Sequence, residues 1–381
     1  MPAEQIFTNA RVVTATDVFT GTVAVRDGLI HDVSRGRSSL AQAEDLQGDY
    51  LMPGLIELHT DNLEKYMNPR PGVDWPSASA VLAHDAQVVS AGITTVFDAL
   101  SIGDVNPKGN RLQQLPVMLK AITQAQSQGH TRAEHRLHLR CELSHAKTLD
   151  VFNELVESPL VQLVSVMDHS PGQRQFVKME KYREYYQGKY HLSDADMEAF
   201  IEQQLDNSRQ YSDRYRRSIV QTCHDRSLSV ASHDDATLEH AQESADYGMS
   251  IAEFPTTVEA AKASHRLGLK VLMGAPNIVR GGSHSGNVAA AELASQGVLD
   301  ILSSDYYPSS LLQAAQTLTD QDQGYDLPSA VATISLSPAR AAGLDDRGEI
   351  RTGLRADLLR VRSYENQLVV QHVWRSGTRV F

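Results

Sequence analysis

Eight short runs of apolar residues recur along the middle of the chain. They lie at 51–59, 93–99, 137–143, 160–167, 228–232, 250–254, 269–275 and 299–303. Each run is nearly continuous in apolar residues, whereas a strand with one solvated face alternates apolar and polar positions. Continuous runs are typical of strands that are covered on both faces, as in a parallel sheet.

Helix-like stretches lie between several of these runs. Apolar residues recur at helical spacing in 77–91, and similar patterns occur in 237–247 and 258–267. Ser77 is a predicted N-cap, and Gly92 is predicted to follow the helix end. Eight strands that alternate with helices predict an α/β fold, a (β/α)8 TIM-type barrel.

Both ends of the chain have a different pattern, with short strand-like pieces broken by turn residues. The pair Asp27-Gly28 is a hairpin signal in the N-terminal segment, and the C-terminal segment after 350 is similar in style. We expect one small β-sandwich domain from both ends; two unrelated edge hairpins remain the alternative. The predicted domains are the sandwich at 1–50 plus 345–381 and the barrel at 51–344.

The stretch 170–220 interrupts the rhythm of strands and helices, and we interpret it as a partly helical insertion. Between Ser170 and His191 it holds five basic residues, two acidic residues and four tyrosines. This local positive charge favours an anionic ligand, although most charge runs mark only a solvated helix surface.

Composition narrows the class of protein. The chain has 381 residues, 41% of them apolar, with 35 Lys and Arg against 47 Asp and Glu, which gives a net charge of −12. This balance excludes predominant disorder and argues against nucleic-acid binding. We expect neither a membrane-spanning segment nor an export signal, and two cysteines cannot form a disulfide framework. We therefore expect a cytoplasmic homo-oligomer, a dimer, without membrane partners, that acts on a small molecule.

Candidate chemistry lies where the predicted strands end, which is where barrel enzymes carry their active sites. His59 and Asp61 are two residues apart, so on a strand both side chains point to one side. Imidazole and carboxylate groups together suit zinc, manganese or iron(II). A single histidine at a strand end is more often a hydrogen-bonded structural residue than a metal ligand. The polar residues at the strand ends are His59, Asp61, Glu142, His169, His233, Glu253 and Asp305.

Three segments resemble the amidohydrolase superfamily. The first is LMPGLIELH at 51–59, which is similar to the first-strand signature; SPARA at 337–341 and GEIRTGLRADL at 348–358 are similar to the closing segment. The resemblance implies a metal-dependent barrel with a β-sandwich built from both termini, in agreement with the pattern above.

Further motifs resemble one branch of that superfamily, the diphosphatases of the carbon–phosphorus lyase pathway. These motifs are HTDNLEK at 59–65, PRPGV at 69–73, DHSPGQRQ at 168–175, GAPN at 274–277 and RGGSHSGN at 280–287. The resemblance implies hydrolysis of alpha-D-ribose 1-methylphosphonate 5-triphosphate to the 5-phosphate and diphosphate, in phosphonate metabolism. The predicted substrate-binding residues are Lys65, Arg70, Arg174, Lys178, Arg280, Ser283, His284 and Asn287.

The sequence departs from the usual superfamily ligands. The first strand has His-x-Asp instead of His-x-His, and Glu142 stands where a carboxylated lysine often bridges two metals. The predicted ligands are His59, Asp61, Glu142, His169, His233 and Asp305, and Glu253 is an alternative in place of or beside His169. They would hold one or two divalent ions, zinc or else manganese. Asp305 is the predicted catalytic base, accepting a proton from the attacking water.

Two other functions remain open. A deaminase or cyclic-amide hydrolase of the same fold would need an apolar, aromatic pocket, and it would not need the basic insertion. A non-catalytic barrel with a binding role would have lost its ligands, so metal content separates it from both enzymes. The sequence leaves open whether ordinary nucleoside triphosphates are also substrates.

Overall fold

The computed structural model describes residues 4–103, 111–283, 286–320, 324–365 and 367–381. The strands are β1 Gln5–Val13, β2 Val18–Arg26, β3 Leu29–Arg35, β4 Glu44–Asp45, β5 Tyr50–Pro53, β6 Leu55–Thr60, β7 Ile93–Ile102, β8 Glu134–Glu142, β9 Val161–Met167, β10 Ser229–His233, β11 Ile251–Glu253, β12 Lys270–Gly274, β13 Ile301–Ser303, β14 Leu358–Tyr364, β15 Gln367–Arg375 and β16 Thr378–Arg379. The helices are α1 Asn62–Met67, α2 Ser77–Ser90, α3 Arg111–Ser127, α4 Thr148–Leu155, α5 Met179–Tyr190, α6 Asp194–Asp225, α7 Leu238–Asp246, α8 Val258–Arg266, α9 Ala275–Arg280, α10 Ala290–Ser295, α11 Ser310–Asp320, α12 Leu327–Ala332 and α13 Leu336–Ala341, with a 3-10 turn at Arg174–Phe176.

Strands β6 to β13 form one sheet in sequence order, with helices between them. Their pairing is parallel, and a further parallel bridge joins Thr60, at the end of β6, to Asp305, just after β13. The sheet therefore closes between its first and last strands, and the predicted TIM-type barrel is confirmed.

The two chain ends build a second, mixed sheet with the order β16-β15-β14-β5-β1-β2-β3, and β4 lies beside β1. Phe7 of β1 packs on Trp374 of β15 with ring centroids 4.7 Å apart, in a core shared by both termini. The predicted hairpin is present, because Asp27 and Gly28 both have positive φ between β2 and β3. The prediction that both termini build one β structure is confirmed, and the alternative of two unrelated hairpins is wrong.

The apolar run at 51–59 is not one strand, as the sequence pattern predicted. Its first part is β5, which pairs with β14 in the terminal sheet, and its second part is β6 of the barrel. The change occurs at Gly54, whose N–H donates to the carbonyl of Asp357 at 2.8 Å. A side chain at Gly54 would collide with Thr94, so only glycine fits where the chain leaves one sheet for the other.

Helix starts also differ in one place from the prediction. Ser77 is the first residue of α2, and Pro76 occupies the N-cap without a side-chain hydrogen bond. In contrast, Thr237 and Thr257 accept backbone N–H groups of α7 and α8, as N-cap residues do. A proline before a helix lacks a side-chain acceptor, but its fixed φ is compatible with entry into the helix.

The chain divides into two compact units. The first unit comprises Met1–Asp98, Ala121–Arg136 and Met273–Phe381, and the second comprises Ala99–Lys120 and Leu137–Leu272. The domain boundaries expected at 50/51 and 344/345 stay predictions. Cys141 and Cys223 are both free and buried, as expected for structural thiols. Among the described helices, none combines the length and the apolar character that crossing a lipid bilayer requires.

The predicted insertion is helical and lies in the second unit. It contains the 3-10 turn, α5 and most of α6, whose N-cap Ser193 accepts the N–H of Asp196. Its tyrosines do not all face solvent: Tyr182 and Tyr186 are buried against Phe176 and Phe200. The insertion therefore has an aromatic core of its own.

Candidate active site

In the first unit, the end of β6 meets the end of β13 around the buried carboxyl group of Glu57. This group accepts the backbone N–H of His59 at 2.7 Å, the N–H of Ser304 at 2.6 Å and the hydroxyl of Ser303 at 2.5 Å. Burial raises the pKa of Glu57, and the three donors oppose that rise. Glu57 thus holds the backbone on both sides of the barrel closure.

Further hydrogen bonds at this closure join the backbones of His59, Asp61 and Asp305. The Asp305 N–H donates to the carbonyl of His59 at 3.1 Å, and the Asp61 N–H donates to the carbonyl of Asp305 at 3.3 Å. The Thr60 hydroxyl donates to that same Asp305 carbonyl at 2.7 Å. Asp305 has φ of +55°, a left-handed conformation that aspartate tolerates better than most residues.

Asp61 supplies an observation that bears on metal binding. Its Oδ1 atom is buried and has no hydrogen-bond partner among the described residues. A buried carboxylate oxygen without a donor is costly unless a cation satisfies it. Together with the adjacent His59, this donor set fits a divalent metal.

In the second unit, a chain of imidazole and carboxylate groups follows strands β8 to β11. His169 Nδ1 lies 2.6 Å from Glu142 Oε2, and His169 Nε2 lies 3.4 Å from Asp234 Oδ2. His233 Nε2 lies 3.5 Å from the same Asp234 oxygen, and His233 Nδ1 lies 2.8 Å from Glu253 Oε2. One ligand atom each of His169, His233 and Asp234 fall within 4.8 Å of one another, a geometry that could hold a metal ion.

The charges of this group also favour a cation. Burial lowers the pKa of His169, but Glu142 and Asp234 outweigh that effect and raise it to about 10. Burial raises the pKa of Glu142, but the charge of His169 reverses that effect and leaves this pKa below its usual value. A divalent ion would supply the positive charge that protonated histidine otherwise provides, and binding it would release the imidazole proton.

Asp234 was not among the predicted ligands, and Glu253 was predicted only as an alternative ligand. Asp234 directly follows His233 and has φ of +57°. This left-handed backbone conformation lets the consecutive residues His233 and Asp234 contribute to one site. The apolar pattern of a strand does not reveal such a conformation. Glu253 contacts Nδ1 of His233, which leaves Nε2 toward Asp234, as expected for a carboxylate that orients a metal-binding histidine.

The predicted substrate-binding residues lie in different environments. Lys65 is exposed and donates to the backbone carbonyl of Tyr306. Arg174 is buried and ion-paired with Asp235 and Glu243, so its guanidinium already has anionic partners. His284 lies outside the described residues. The remaining ones are exposed or half-buried: Arg70, Lys178, Arg280, Ser283 and Asn287. Their substrate contacts stay predictions.

A second group of buried histidines in the first unit was not predicted. Asp98 of β7 lies between His84 Nε2 at 2.6 Å and His135 Nδ1 at 2.7 Å. His135 Nε2 is 3.3 Å from Asp85. Although these groups could also hold a metal, short hydrogen bonds already satisfy them, so we interpret the group as a structural charge network.

This network predicts a pH-dependent loss of stability. Burial lowers the pKa of His135, but the charges of Asp98 and Asp85 raise it from 6.5 to about 9. A raised histidine pKa stabilises the fold fully below the unfolded value, and the effect is lost as pH rises through the folded value. The free energy of unfolding should therefore fall between pH 6.5 and pH 9, by on the order of 2 kcal/mol.

Urea unfolding at several pH values measures this slope. Asp98→Asn should flatten the slope, because it removes the main charge that keeps His135 protonated. His130→Gln, at an exposed histidine, is the matched control and should leave it unchanged. An equal slope in wild type and Asp98→Asn would contradict the assignment.

Comparison with known proteins decides the family. No family model matches the chain. Alpha-D-ribose 1-methylphosphonate 5-triphosphate diphosphatase of Escherichia coli (strain K12) is 55% identical over 377 residues, covering 99% of this chain and 100% of that protein. The chain belongs to this diphosphatase family. As a member of the diphosphatase family it is a hydrolase, and the resemblance found in its motifs is confirmed.

Solved structures of other proteins share the fold of this chain. An amidohydrolase superimposes with a TM-score of 0.65 at 17% identity, over 99% of this chain and 98% of that one. A 5-methylcytosine deaminase from Klebsiella pneumoniae has a TM-score of 0.64 at 15% identity, over 99% and 97%. An N-acetylglucosamine-6-phosphate deacetylase from Pasteurella multocida has 0.61 at 14%, over 99% of both chains. Such low identities show a shared fold alone.

Proposed function

We propose that this chain hydrolyses alpha-D-ribose 1-methylphosphonate 5-triphosphate to the 5-phosphate and diphosphate. The observation that carries the proposal is the 55% identity to the Escherichia coli diphosphatase across nearly all of both chains. The motifs from 59–65 to 280–287 lie within the aligned length, and two groups of imidazole and carboxylate side chains follow the barrel strands.

A divalent metal, zinc or manganese, is the cofactor that these groups fit. In the second unit His169, His233 and Asp234 are the proposed ligands, with Glu142 as a further ligand and Glu253 orienting His233. In the first unit His59 and Asp61 are the proposed ligands. When bound, the metal supplies an electrophile for phosphate oxygens and lowers the pKa of water.

Asp305 is the proposed catalytic base. Support for this role comes from its backbone, which is hydrogen-bonded to His59 and Asp61 at the barrel closure. It would accept the proton of the attacking water at a carboxylate oxygen and pass it to solvent or to the leaving group.

Cleavage of a phosphoanhydride mainly requires charge neutralisation and alignment. The exposed cations Lys65, Arg70, Lys178 and Arg280 are the proposed sources of positive charge besides the metal. Ser283 and Asn287 would add neutral donors. Arg174 would have to exchange a carboxylate partner for phosphate, which makes a positioning role through Asp235 the simpler proposal for it.

Arg280→Ala should raise KM for the triphosphate about tenfold and change kcat little. Arg280 ends α9 and is exposed, so its removal takes away an ionic contact without disturbing a core. Steady-state kinetics on the sugar triphosphate measures the effect, and Arg266→Ala, at an exposed arginine of α8, is the control. An unchanged kcat/KM would remove Arg280 from substrate binding.

The proposed function is tested by diphosphate release from the ribose phosphonate triphosphate, on full-length protein loaded with zinc or manganese. ATP and a panel of cyclic amides are assayed beside it. Release from the phosphonate sugar with poor activity on ATP supports the proposal. Turnover of an amide without diphosphate release would show that the barrel serves a deaminase or cyclic-amide hydrolase. Failure to bind metal, together with no turnover of any substrate, would favour a binding role.

A further inference from the structure

Arg140, near the carboxyl end of β8, is a charged residue that the proposed mechanism does not use. Successive side chains of a strand alternate between two faces, so Arg140 shares a face with His138 and Glu142. His138 Nε2 lies 2.8 Å from the hydroxyl of Ser165, and Glu142 contacts His169. Arg140 therefore belongs to the face of β8 that carries the candidate metal group of the second unit.

Among the described residues, the guanidinium of Arg140 makes no ion pair. Its Nε atom is buried and has no hydrogen-bond partner there, although the side chain as a whole is partly exposed. Arg216 in the same unit also has an unpartnered buried Nε, but its terminal nitrogen pairs with Glu243, as does that of Arg174. A buried N–H of a charged group without an acceptor is unfavourable, so Arg140 is poised for an anionic partner.

The position of Arg140 on β8 places it close to the candidate metal ligands. It lies two residues before Glu142 on the same face of the strand, and the Glu142 carboxylate lies 2.6 Å from His169 Nδ1. Once a divalent ion neutralises the carboxylates, the guanidinium is left to bind an anion beside that ion.

We propose that Arg140 binds an oxyanion of the triphosphate group of the substrate. This inference rests on the proposed function and adds a binding residue that the motifs did not indicate. A guanidinium presents a planar fork of N–H donors that matches two oxygens of one phosphate, and a lysine cannot do the same. The phosphonate at C1 of the substrate also presents anionic oxygens, so the experiment distinguishes binding of the phosphonate from binding of the triphosphate.

The first measurement is the affinity for inorganic pyrophosphate, determined by calorimetry on metal-loaded full-length protein. Arg140→Gln should weaken binding at least tenfold, and Arg140→Lys should have an intermediate effect because it keeps the charge without the fork. Arg209→Gln, at an exposed arginine of α6, is the control and should bind as the wild type does. Metal content and Tm are measured for every variant.

Equal pyrophosphate affinity in folded, metal-loaded Arg140→Gln would overturn the proposal. If that variant does not fold, Arg140→Lys decides, and wild-type affinity in it would overturn the assignment to a bidentate guanidinium contact. Failure of the proposed function gives a different result from failure of this inference. A wild-type protein that binds pyrophosphate through Arg140, but releases no diphosphate from the sugar triphosphate, would contradict the proposed function. The oxyanion site at Arg140 would still be supported.

A second measurement separates the triphosphate from the phosphonate. The kcat/KM of wild type and Arg140→Gln is compared on the phosphonate sugar and on ribose 5-triphosphate that lacks the phosphonate. The same loss on both substrates supports contact with the triphosphate. A loss confined to the phosphonate sugar would overturn that assignment and place Arg140 at the other end of the substrate.

Discussion

Replacement of Asp305 by asparagine is expected to lower kcat about 10³-fold while metal content stays near that of the wild type. Asparagine has nearly the same shape but cannot accept the proton of the attacking water. It also tolerates the left-handed backbone at this position, where φ is +55°. The backbone contacts of Asp305 with His59 and Asp61 are unaffected, so the barrel should still close.

Steady-state kinetics, metal analysis and Tm together test this prediction. Asp345→Asn, which removes the charge of an exposed aspartate, is the matched control and should retain full activity. Full turnover in Asp305→Asn would remove this residue from the mechanism. Loss of both metal and turnover would instead show that Asp305 acts as a ligand rather than as the base.

Replacement of His233 by alanine should weaken metal binding by more than about 100-fold and abolish turnover with it. Loss of a group that only orients a ligand costs about 10- to 100-fold in affinity, and loss of a ligand should cost more. His233 lies between Asp234 and Glu253, so its removal also takes away an imidazole contact of both carboxylates. Metal stoichiometry after dialysis and competition with a chelator measure the effect.

His130→Ala is the control, because His130 is exposed and lies in the first unit. Excess zinc should restore part of the activity of His233→Ala if the remaining ligands still bind weakly. A variant that keeps stoichiometric metal and wild-type turnover would contradict the assignment of His233 as a ligand.

The barrel could be predicted because its strands are buried on both faces and so appear as continuous apolar runs. The observed β9 and β12 differ from their predicted runs by at most one residue at each end. The pattern failed where two strands follow one another without a polar break. At Gly54 the chain passes between sheets inside one apolar run, and the decisive factor is the tertiary contact with Thr94.

The candidate site could be predicted only in part. Strand-end residues such as His169 and His233 were indicated because parallel strands share one carboxyl end. Arg140 was not, because it lies inside the predicted run 137–143 rather than at its end, where candidate residues were sought. The pairing of His84 with Asp98 depends on how α2 lies on β7, and no spacing in the sequence encodes that contact.

The pairing of β5 with β14 has a consequence for synthesis of the chain. Nearly the whole barrel is translated between Pro53 and its partner Leu358. While the ribosome is still translating that barrel, β5 presents an unpaired edge with the apolar residues Leu51 and Met52. Such long-range pairing folds slowly and exposes the nascent chain to aggregation, so this exposed edge should persist until β14 has left the ribosome and paired with β5.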